Sequence, residues 1–348
     1  MSTIKALALF SGGLDSILAA RVVMEQGVNV EAVQFVTPFF NYDILDDIEA
    51  HKKRIKSKFG IDVFVEDLSD GYLRLLHNPE HGFGKNFNPC IDCKILMFTR
   101  AKELLEEKGA SFLISGEVLG QRPMSQRRDT LNVIERDSET RSLLLRPLCA
   151  KLMKETEAEQ EGWVDREKLY RISGRGRSAQ IALAAEYGIV DYPAPAGGCI
   201  LADPILSRRI KQLYSRENML HSVDVNVFDI RGLLVGRQMM LPGGGWLIVG
   251  RDEKENDKLL KLVQPGDVQL YMEEWPGPAA ILKKVSEYPG EDARKEKIQL
   301  AASLVVSYGK KLPPGVMSRE VTCRQANDEW KITSKPCSEG NYRDWVLA

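Results

Sequence analysis

The stretch ALALFSGGLDSILAARVV, residues 6–23, decides the fold of this chain. It begins as an apolar run, is interrupted by Gly12 and Gly13, and resumes with helical spacing up to a stop at Gly27. A second apolar run follows over residues 28–36. A buried strand, a glycine-rich turn, a helix and another buried strand together predict a βαβ unit with parallel strands.

The first two thirds of the chain alternate between strand patterns and helix patterns. Strands are predicted at residues 4–10, 28–36, 63–65, 112–115 and 143–145. Helices are predicted at residues 17–26, 46–59, 91–107, 178–187 and 204–214. Alternation of this kind predicts an α/β fold, in which helices cover both faces of a mostly parallel sheet.

The pattern changes in the last third of the chain. Short strand-like runs with turn glycines are followed by a helical segment near residues 294–308 and two late strands, at 319–323 and 329–333. This order of elements predicts a separate α+β domain. We therefore expect two domains, a nucleotide-binding domain over residues 1–221 and a smaller α+β domain over residues 222–348.

Composition and charge limit the kinds of protein that this chain can be. Its 348 residues leave room for two or three cores, and its formal net charge of -1 gives no general attraction to nucleic acid or membrane. There is no run of 18 apolar residues, and the N-terminus lacks the layout of a signal peptide. We expect a cytoplasmic protein without a membrane segment, in which paired cysteines indicate metal or redox chemistry before disulfides.

The turn SGGLDS, residues 11–16, has the features of a phosphate cradle. A helix that opens behind a parallel strand presents unpaired N–H groups, and its dipole favours an anion. Gly12 and Gly13 allow close approach, while Ser11 and Ser16 add hydroxyl donors. The loop is tighter than GxxxxGK[ST] and has no lysine. An ordinary strand-to-helix turn with a good N-cap is the alternative.

SGGLDS resembles the SGGxDS signature of the PP-loop ATP pyrophosphatases. Members of that family have a HUP-like α/β domain, cleave ATP between its α and β phosphates, and activate a carbonyl oxygen as its adenylate. The resemblance implies that one loop surrounds the pyrophosphate and its Mg²⁺, with Asp15 positioning the metal or the phosphates. The residues of that loop are Ser11, Gly12, Gly13, Leu14, Asp15 and Ser16. The signature does not fix the substrate, since several small-molecule synthetases share it with tRNA-modifying enzymes.

Three cysteines narrow the chemistry. Cys90 and Cys93 lie in NPCIDC at the start of a predicted helix, where both sulfurs face one side. A helix N-terminus lowers the pKa of a thiol, which suits a thiolate nucleophile or a metal ligand; an isolated CxxC without a role is the alternative. Cys199 follows prolines and glycines in YPAPAGGCILADP, which predicts a rigid loop. The other cysteines are interpreted as core or surface residues: Cys149, Cys323 and Cys337.

NPCxxC in a PP-loop protein is similar to the tRNA thiouridine synthases. Two further segments, SGEVLGQRPMSQ at 115–126 and LLLRPLCAKLMKET at 143–156, resemble motifs of the 4-thiouridine synthases. The resemblance implies an ATP-dependent tRNA sulfurtransferase, in which a uridine oxygen attacks the α-phosphate and sulfur then displaces AMP. It also places Gly116 and Gln121 along the nucleotide or uridine pocket, with Ser125 and Gln126 close by. Topology agrees, because the glycine after the fourth strand of such a sheet lies beside the first loop.

Two uses of the three cysteines remain open. In one, a cysteine carries a persulfide that attacks the adenylated uridine, and a second cysteine resolves the disulfide. In the other, Cys90, Cys93 and Cys199 are metal ligands that hold a [4Fe-4S] cluster, whose open iron binds the sulfur to be transferred. Several cluster-dependent thiolases use a CxxC with one distant cysteine. The third cysteine therefore favours the cluster.

Arginine clusters indicate where RNA phosphates would bind. RISGRGRSAQ and LSRRIKQLYSR are rich in arginine, and three more arginines follow the pocket segment. Arginine suits phosphate contacts, although a charge run is usually a solvated face. The candidates are Arg122, Arg127, Arg128, Arg171, Arg175, Arg177, Arg208, Arg209, Lys211 and Arg216.

The last part of the chain resembles the NFACT RNA-binding domain, over roughly residues 225–348. Its GRxxxxND stretch at 250–257 is followed by a PGPA loop where that family has a PGxH-type loop. The missing histidine and the balance of 18 basic against 18 acidic residues over 222–348 weaken the case for RNA. A domain that docks a sulfur donor or a neighbouring subunit is the alternative. Since SGGLDS comes so early, we expect that no tRNA-recognising THUMP module precedes it. We expect the last domain to recognise tRNA in its place.

The expected function is thus ATP-dependent tRNA uridine thiolation. The expected partners are tRNA, ATP with Mg²⁺, and a sulfur donor, either inorganic sulfide or a persulfide-carrying protein; a homodimer is a further expectation. Two other functions stay open. A PP-loop synthase acting on a small molecule would not need the arginine clusters or a second domain. A non-catalytic RNA-binding adaptor would not need an intact SGGLDS loop and three cysteines.

Overall fold

The computed structural model describes residues 4–195, 198–214, 225–338 and 342–347. Contacts within the chain divide it into two compact units, Met1–Ala202 and Asp203–Ala348. The expected domain boundary, between residues 221 and 222, lies outside the described residues. The helix Pro204–Tyr214, which the sequence assigned to the first domain, falls in the second unit. None of the helices in the described stretches combines the length and the apolar character needed to cross a bilayer.

The first unit is built on a parallel sheet of five strands. These strands are β1 (Lys5–Leu9), β2 (Asn29–Val36), β3 (Asp62–Asp67), β4 (Phe112–Ser115) and β5 (Leu144–Leu145). The helices are α1 (Leu14–Met24), α2 (Ile48–Phe59), α3 (Ser69–His77), α4 (Cys90–Lys108), α5 (Arg128–Asp137), α6 (Glu157–Gln160) and α7 (Ser178–Glu186). The strand order is β3-β2-β1-β4-β5, and every pairing is parallel. The predicted α/β fold is confirmed.

Helices cover both faces of this sheet. On one face, α1 and α7 contribute Ile17 and Leu183 to a buried apolar cluster. On the other face, α4 contributes Phe98 and Leu104 to a second cluster. β1 lies in the middle of the sheet, with Leu7 in the second cluster and the residues on either side of it in the first. This burial on two sides explains why the strand is apolar without alternation.

The carboxyl ends of β1 and β4 meet at one edge of the sheet. The two strands are parallel neighbours, with Leu9 of β1 opposite Ser115 of β4. The loops that follow them, beginning at Ser11 and Gly116, therefore start side by side. This is the edge at which open α/β sheets bind their ligands.

The second unit is an α+β structure built on an antiparallel sheet. Its strands are β6 (Arg237–Met240), β7 (Trp246–Val249), β8 (Val268–Tyr271), β9 (Ala280–Leu282), β10 (Arg319–Gln325) and β11 (Asp328–Ser334). Its helices are α8 (Pro204–Tyr214), α9 (Val227–Leu233), α10 (Glu253–Leu260) and α11 (Glu291–Tyr308). The strand order is β11-β10-β8-β9-β7-β6. Ala301, Leu304 and Val305 of α11 pack into the apolar cluster of this sheet, and the predicted α+β character is confirmed.

A buried ion cluster joins three segments of the second unit. Nζ of Lys283, which follows β9, lies 2.7 Å from Oδ2 of Asp267 and 3.2 Å from Oδ1 of Asp229. All three side chains are almost inaccessible to solvent. Because a buried lysine is costly unless it is paired, the two carboxylates fix α9 and the start of β8 to the end of β9.

Candidate functional site

The SGGLDS turn forms a tight loop between β1 and α1. Gly12 adopts a φ of 75°, a left-handed conformation that favours glycine. The hydroxyl of Ser16 donates a hydrogen bond of 2.7 Å to the carbonyl oxygen of Gly13 and accepts one of 3.3 Å from the N–H of Ser11. The loop is thus closed by a serine, and the first N–H groups of α1 remain available to an anion.

The backbone after β4 touches the start of α1. A Cβ atom placed on Gly116 would lie 2.6 Å from the carbonyl carbon of Asp15 and from the nitrogen of Ser16. No real Cβ tolerates such a distance to backbone atoms. The structure therefore brings Gly116 directly beside the SGGLDS loop, as the topology of the sheet predicted.

The carboxylate of Asp15 has one bonded oxygen and one free oxygen. Oδ2 accepts a hydrogen bond of 2.7 Å from Nε2 of Gln121 and lies 3.5 Å from Nη2 of Arg177. Gln121 is held in turn by Nε2 of Gln180, 2.9 Å from its Oε1. Oδ1 of Asp15 is buried and has no hydrogen-bond partner among the described residues. A hard cation such as Mg²⁺ fits this oxygen, because carboxylate oxygens are its usual protein ligands.

Arg177 and Gln180 are site residues that the sequence did not identify as such. Arg177, for which contact with RNA phosphates stays a prediction, has its guanidinium beside Asp15. The segment before α7 reaches this point because the N–H of Gly174 donates a 2.8 Å hydrogen bond to the carbonyl oxygen of Leu119. The run GRGRSAQ is positively charged, but its residues alone do not predict which strand of the sheet it contacts.

The three predicted cysteines share one neighbourhood in the first unit. Cys90 opens α4, and Cys93 follows three residues later. The N–H of Phe87 donates a 3.2 Å hydrogen bond to the carbonyl oxygen of Leu201, which ties the segment before α4 to the Cys199 loop. Besides burial, the proximity of Cys199 and Cys90 raises the pKa of the Cys93 thiol, so the three sulfurs are near one another. Residues separated by more than a hundred positions are thus brought together.

The expected lowering of the thiol pKa is wrong for Cys93. Although part of the residue is accessible, the protein atoms packed around its thiol raise the pKa to about 12. The hydroxyl of Tyr72 and the charge of Lys94 oppose this shift without overcoming it. Burial likewise raises the pKa of Cys199. Desolvation outweighs the helix dipole, because a thiolate loses more by leaving water than one helix end returns.

The described residues show no ready-made binding site for a single metal ion. Among the described residues, no group of three or more His, Cys, Asp or Glu side chains is arranged to hold one metal ion. A single ion draws its sulfurs almost into contact, since metal–sulfur bonds are about 2.3 Å long. The irons of a [4Fe-4S] cluster stand at separate corners and take their thiolates from further apart. A [4Fe-4S] cluster held by Cys90, Cys93 and Cys199 stays a prediction.

A buried charge network lies next to both parts of the site. Glu117 follows Gly116 and is paired with Arg146, whose Nη2 lies 3.0 Å from Oε2; both side chains are almost fully buried. Nζ of Lys94, the residue after Cys93, lies 3.3 Å from the other oxygen of Glu117. Burial alone would raise the pKa of Glu117, but the charges of Lys94 and Arg146 hold it below its usual value. Glu117, Lys94 and Arg146 lie within predicted motif segments, but no role was predicted for them from the sequence.

The remaining arginine candidates divide into paired and exposed residues. Arg128 donates a 3.0 Å hydrogen bond to the carbonyl oxygen of Leu152, and Arg127 pairs with Asp129 at 3.0 Å. Arg209 was predicted to contact phosphate, but it is bound within the second unit, where it donates to the carbonyl oxygen of Leu233. The exposed candidates are Arg122, Arg171, Arg175, Arg208 and Lys211, and Arg216 lies outside the described residues.

The GRxxxxND stretch of the second unit has a structural role. Oδ1 of Asn256 accepts a 3.0 Å hydrogen bond from the N–H of Ala279, the last residue of the PGPA loop. A Cβ atom on Gly250 would collide with that same oxygen. The spacing of glycine and asparagine is therefore what holds the loop, whether or not the loop carries a histidine.

Comparison with known protein families gives two matches along the chain. Residues 1–158 match the family described as "Thiamine biosynthesis protein (ThiI)", and residues 236–346 match the family described as "NFACT protein RNA binding domain". The two resemblances drawn from the sequence are confirmed.

Curated relatives match only part of their own length. A "Probable tRNA sulfurtransferase" of Thermoanaerobacter sp. (strain X514) is 32% identical over 119 residues, which are 34% of this chain and 30% of that protein. A protein of the same description from Lysinibacillus sphaericus (strain C3-41) is 29% identical, covering 42% of this chain and 35% of its own length. The chain thus spans about a third of the length of these relatives.

A solved "4-thiouridine synthetase - RNA complex with bound ATP" is similar to the chain at a TM-score of 0.39. The sequence identity is 22%, and the alignment covers 60% of this chain and 50% of the other. This score is too low to support a conclusion about function.

Proposed function

We propose that the chain catalyses ATP-dependent thiolation of a uridine in tRNA. The proposal depends on one observation. Three thiols that are far apart in sequence belong to the same unit as the SGGLDS loop, and a short series of contacts connects the loop to the cysteine helix. Gly116 packs on the loop, Glu117 follows it, and Lys94 connects Glu117 to the cysteine helix. Sulfur transfer to a nucleotide-activated base needs both groups within reach of one base.

ATP is the substrate that the loop would bind. The N–H groups at the start of α1 would receive its phosphates, and Oδ1 of Asp15 would take a Mg²⁺ ion. Mg²⁺ supplies charge neutralisation at the phosphates. Arg177 adds a fixed positive charge next to the same carboxylate. The uridine carbonyl oxygen would attack the α-phosphate, pyrophosphate would leave, and sulfur would then displace AMP from the adenylated base.

Orientation is the main contribution of the protein to this reaction. Holding a base, a nucleotide and a sulfur source on one rigid sheet edge replaces several encounters by one bound state, which is worth roughly 7 to 11 kcal/mol in favourable cases. Gln180 and Gln121 serve this purpose, because they fix Asp15 through two consecutive hydrogen bonds.

Cys90, Cys93 and Cys199 would hold a [4Fe-4S] cluster. When bound, the cluster supplies an iron with an open position for sulfur. Ligation would require each thiol to lose its proton to the metal, so binding of the cluster should strengthen as the pH rises. A persulfide carried on one of the same cysteines is the alternative.

Replacement of Cys199 distinguishes the cluster from the persulfide. Protein reconstituted with iron and sulfide under anaerobic conditions should develop broad visible absorption, and Cys199→Ala should abolish it while Cys337→Ala leaves it unchanged. The cluster is contradicted if the colour survives in Cys199→Ala. A persulfide enzyme would instead transfer sulfur in the absence of iron.

The second unit would bind the tRNA. Its similarity to an RNA-binding domain supports this role, and the sulfur donor, a homodimeric assembly and a cytoplasmic location stay predictions. A PP-loop synthase that acts on a small molecule is the other candidate. It would release pyrophosphate with its substrate in the absence of tRNA.

Mass spectrometry of tRNA nucleosides tests the proposed function. Cells that lack the protein should lose one thiouridine, and the gene for the intact chain should restore it. Cys199→Ala should fail to restore it although the protein accumulates. An unchanged set of thiolated nucleosides in the deleted strain would contradict the proposal.

A further inference from the structure

An aromatic side chain stands exposed next to the cysteine site. Phe83 keeps 39% of its surface exposed, although it lies in a loop that immediately precedes α4. Its ring stacks on the buried ring of Phe87, with the centroids 4.3 Å apart and the planes inclined by 28°. The buried ring of Phe87 thus supports one face of the Phe83 ring. A rigidly supported, half-exposed ring is a suitable surface for a planar ligand.

Hydrogen bonds hold this loop in place against the Cys199 segment. The N–H of Gly84 donates to the carbonyl oxygen of Asn88 at 2.9 Å, which closes the loop on itself. Nδ2 of Asn86 donates to the carbonyl oxygen of Ala202 at 2.6 Å. The N–H of Ala202 in turn bonds to the carbonyl oxygen of Cys199. The position of the Phe83 ring is therefore coupled to the position of the third thiol.

Met124 connects the same loop to the nucleotide site. Its terminal methyl lies so close to Gly84 that a side chain on the glycine would collide with it, and the methionine itself stays 43% exposed. Met124 belongs to the segment 116–126, which packs on the SGGLDS loop at Gly116 and bonds to Asp15 through Gln121. The two apolar side chains thus lie on the chain segments that join the nucleotide loop to the cysteines.

Two cations flank this apolar pair in sequence. Lys85 is two residues from Phe83, and Arg122 is two residues from Met124; both are exposed. Neither has an ion pair within the parts of the chain that the structure describes, and the charge of Arg122 acts on Cys199. Exposed cations two residues from exposed apolar side chains match a ligand that is both planar and phosphate-bearing, as an unpaired nucleotide is.

We propose that Phe83 and Met124 form the platform on which the target uridine of the tRNA stacks, with Lys85 and Arg122 contacting the adjoining phosphates. This inference rests on the proposed function and specifies how its substrate is held. Unstacked bases of RNA are commonly bound on aromatic side chains, because every base has a π face. On this platform the base lies between the loop that binds ATP and the three thiols, and both steps of the reaction act on it.

Two variants at position 83 test the platform. In Phe83→Ala, the KM for tRNA in the thiolation assay should rise about tenfold or more, because loss of one stacking partner typically costs this much. Phe83→Trp should keep a KM close to that of the intact protein, since it preserves the stacking surface. Binding of ATP should stay unchanged in both. Val190→Ala is the control, because Val190 is an exposed apolar residue, at 88%, of the same unit.

Photocrosslinking gives a readout that does not depend on activity. tRNA transcribed with 5-bromouridine in place of uridine should crosslink on irradiation to the peptide that contains Phe83, and less in Phe83→Ala. A crosslink at this peptide supports the platform even if no thiouridine is formed. That combination would contradict the proposed function but not the platform.

Two results would overturn the platform while leaving the proposed function intact. One is a protein that thiolates tRNA with the same KM in Phe83→Ala as in the intact chain, and with no crosslink at residue 83. The other is a Phe83→Ala variant that keeps its KM for tRNA but loses affinity for a persulfide-carrying protein. The second result would assign the exposed ring to a protein partner.

Discussion

Gly116 allows the backbone after β4 to rest on the first turn of α1. The contact involves main-chain atoms of Asp15 and Ser16, which cannot rotate away as a long side chain can. The carboxylate that would hold Mg²⁺ and the hydroxyl that closes the loop both belong to these two residues. The geometry of the proposed nucleotide site therefore requires a residue without a side chain at position 116.

The variant Gly116→Ala should lose affinity for ATP by about tenfold or more, because the added methyl forces the loop away from its position. The matched control is Gly176→Ala, where a Cβ atom would meet open space. Isothermal titration with ATP and Mg²⁺ measures the difference. Equal affinities in the two variants would show that the contact at Gly116 has no bearing on the nucleotide.

The environment of Cys93 changes the expected chemistry of the cysteines. With a pKa of about 12, this thiol stays protonated at neutral pH and is a poor nucleophile by itself. A bound metal reverses that disadvantage, because coordination deprotonates a thiol outright. The burial therefore argues against a free thiolate at Cys93.

At the scale of secondary structure, the start of α7 delivers two polar side chains to the site. Arg177 precedes the helix and Gln180 lies in its first turn. Their contacts with Asp15 and Gln121 depend on the anchoring of Gly174 to Leu119. α7 also packs on α1, so the helix behind the SGGLDS loop and the helix that follows Arg177 are in direct contact.

Replacing Arg177 by methionine should slow cleavage of ATP by about 10²-fold, because a fixed positive charge next to the reacting phosphates is lost. Arg141→Met is the control, since Arg141 is exposed and has no ion pair within the described residues. Release of pyrophosphate in the presence of tRNA gives the rate. The role of Arg177 is refuted if both variants cleave ATP as fast as the intact protein.

Elements with a strong local signal could be predicted from the sequence, whereas others could not. β1, α1 and β2 follow from apolar runs separated by glycines, and α4 and α11 from helical spacing. α3 and α5 were not predicted, although the buried residues of each recur at helical spacing, as Tyr72, Leu73 and Leu76 do in α3.

The same limit applies to the site. Asp15, Gly116 and the three cysteines carry signals of residue type and spacing that can be read locally. The contact of Arg177 with Asp15 joins positions 162 residues apart, and it depends on a pairing of Leu119 with Ser173 that has no sequence pattern. Desolvation of Cys93 also depends on neighbours from distant segments, so its raised pKa could not be foreseen.

At the scale of the whole molecule, the two units carry separate cores and separate sheets. The five parallel strands all come from the first unit, and the six antiparallel strands all come from the second. No strand in the described residues pairs across the two sheets. This division agrees with the proposal that one unit performs the chemistry and the other binds RNA.

A chain that ends after Ala202 should keep its affinity for ATP and lose at least about tenfold in affinity for tRNA, because the RNA-binding phosphate contacts would be removed. Circular dichroism checks that the shortened chain is folded. Titration with labelled tRNA and with ATP then separates the two affinities. Equal loss of both would count against the division of roles.

Transfer of the α-phosphate label from ATP to tRNA tests the central claim most directly, namely that nucleotide activation and sulfur transfer act in sequence on one uridine. In the intact protein with a sulfur donor, labelled AMP and thiouridine should form in equal amounts. In Cys199→Ala, labelled AMP should remain attached to the tRNA, and thiouridine should be absent. Thiouridine formed at the normal rate in Cys199→Ala, or label that never reaches tRNA in that variant, would contradict the account.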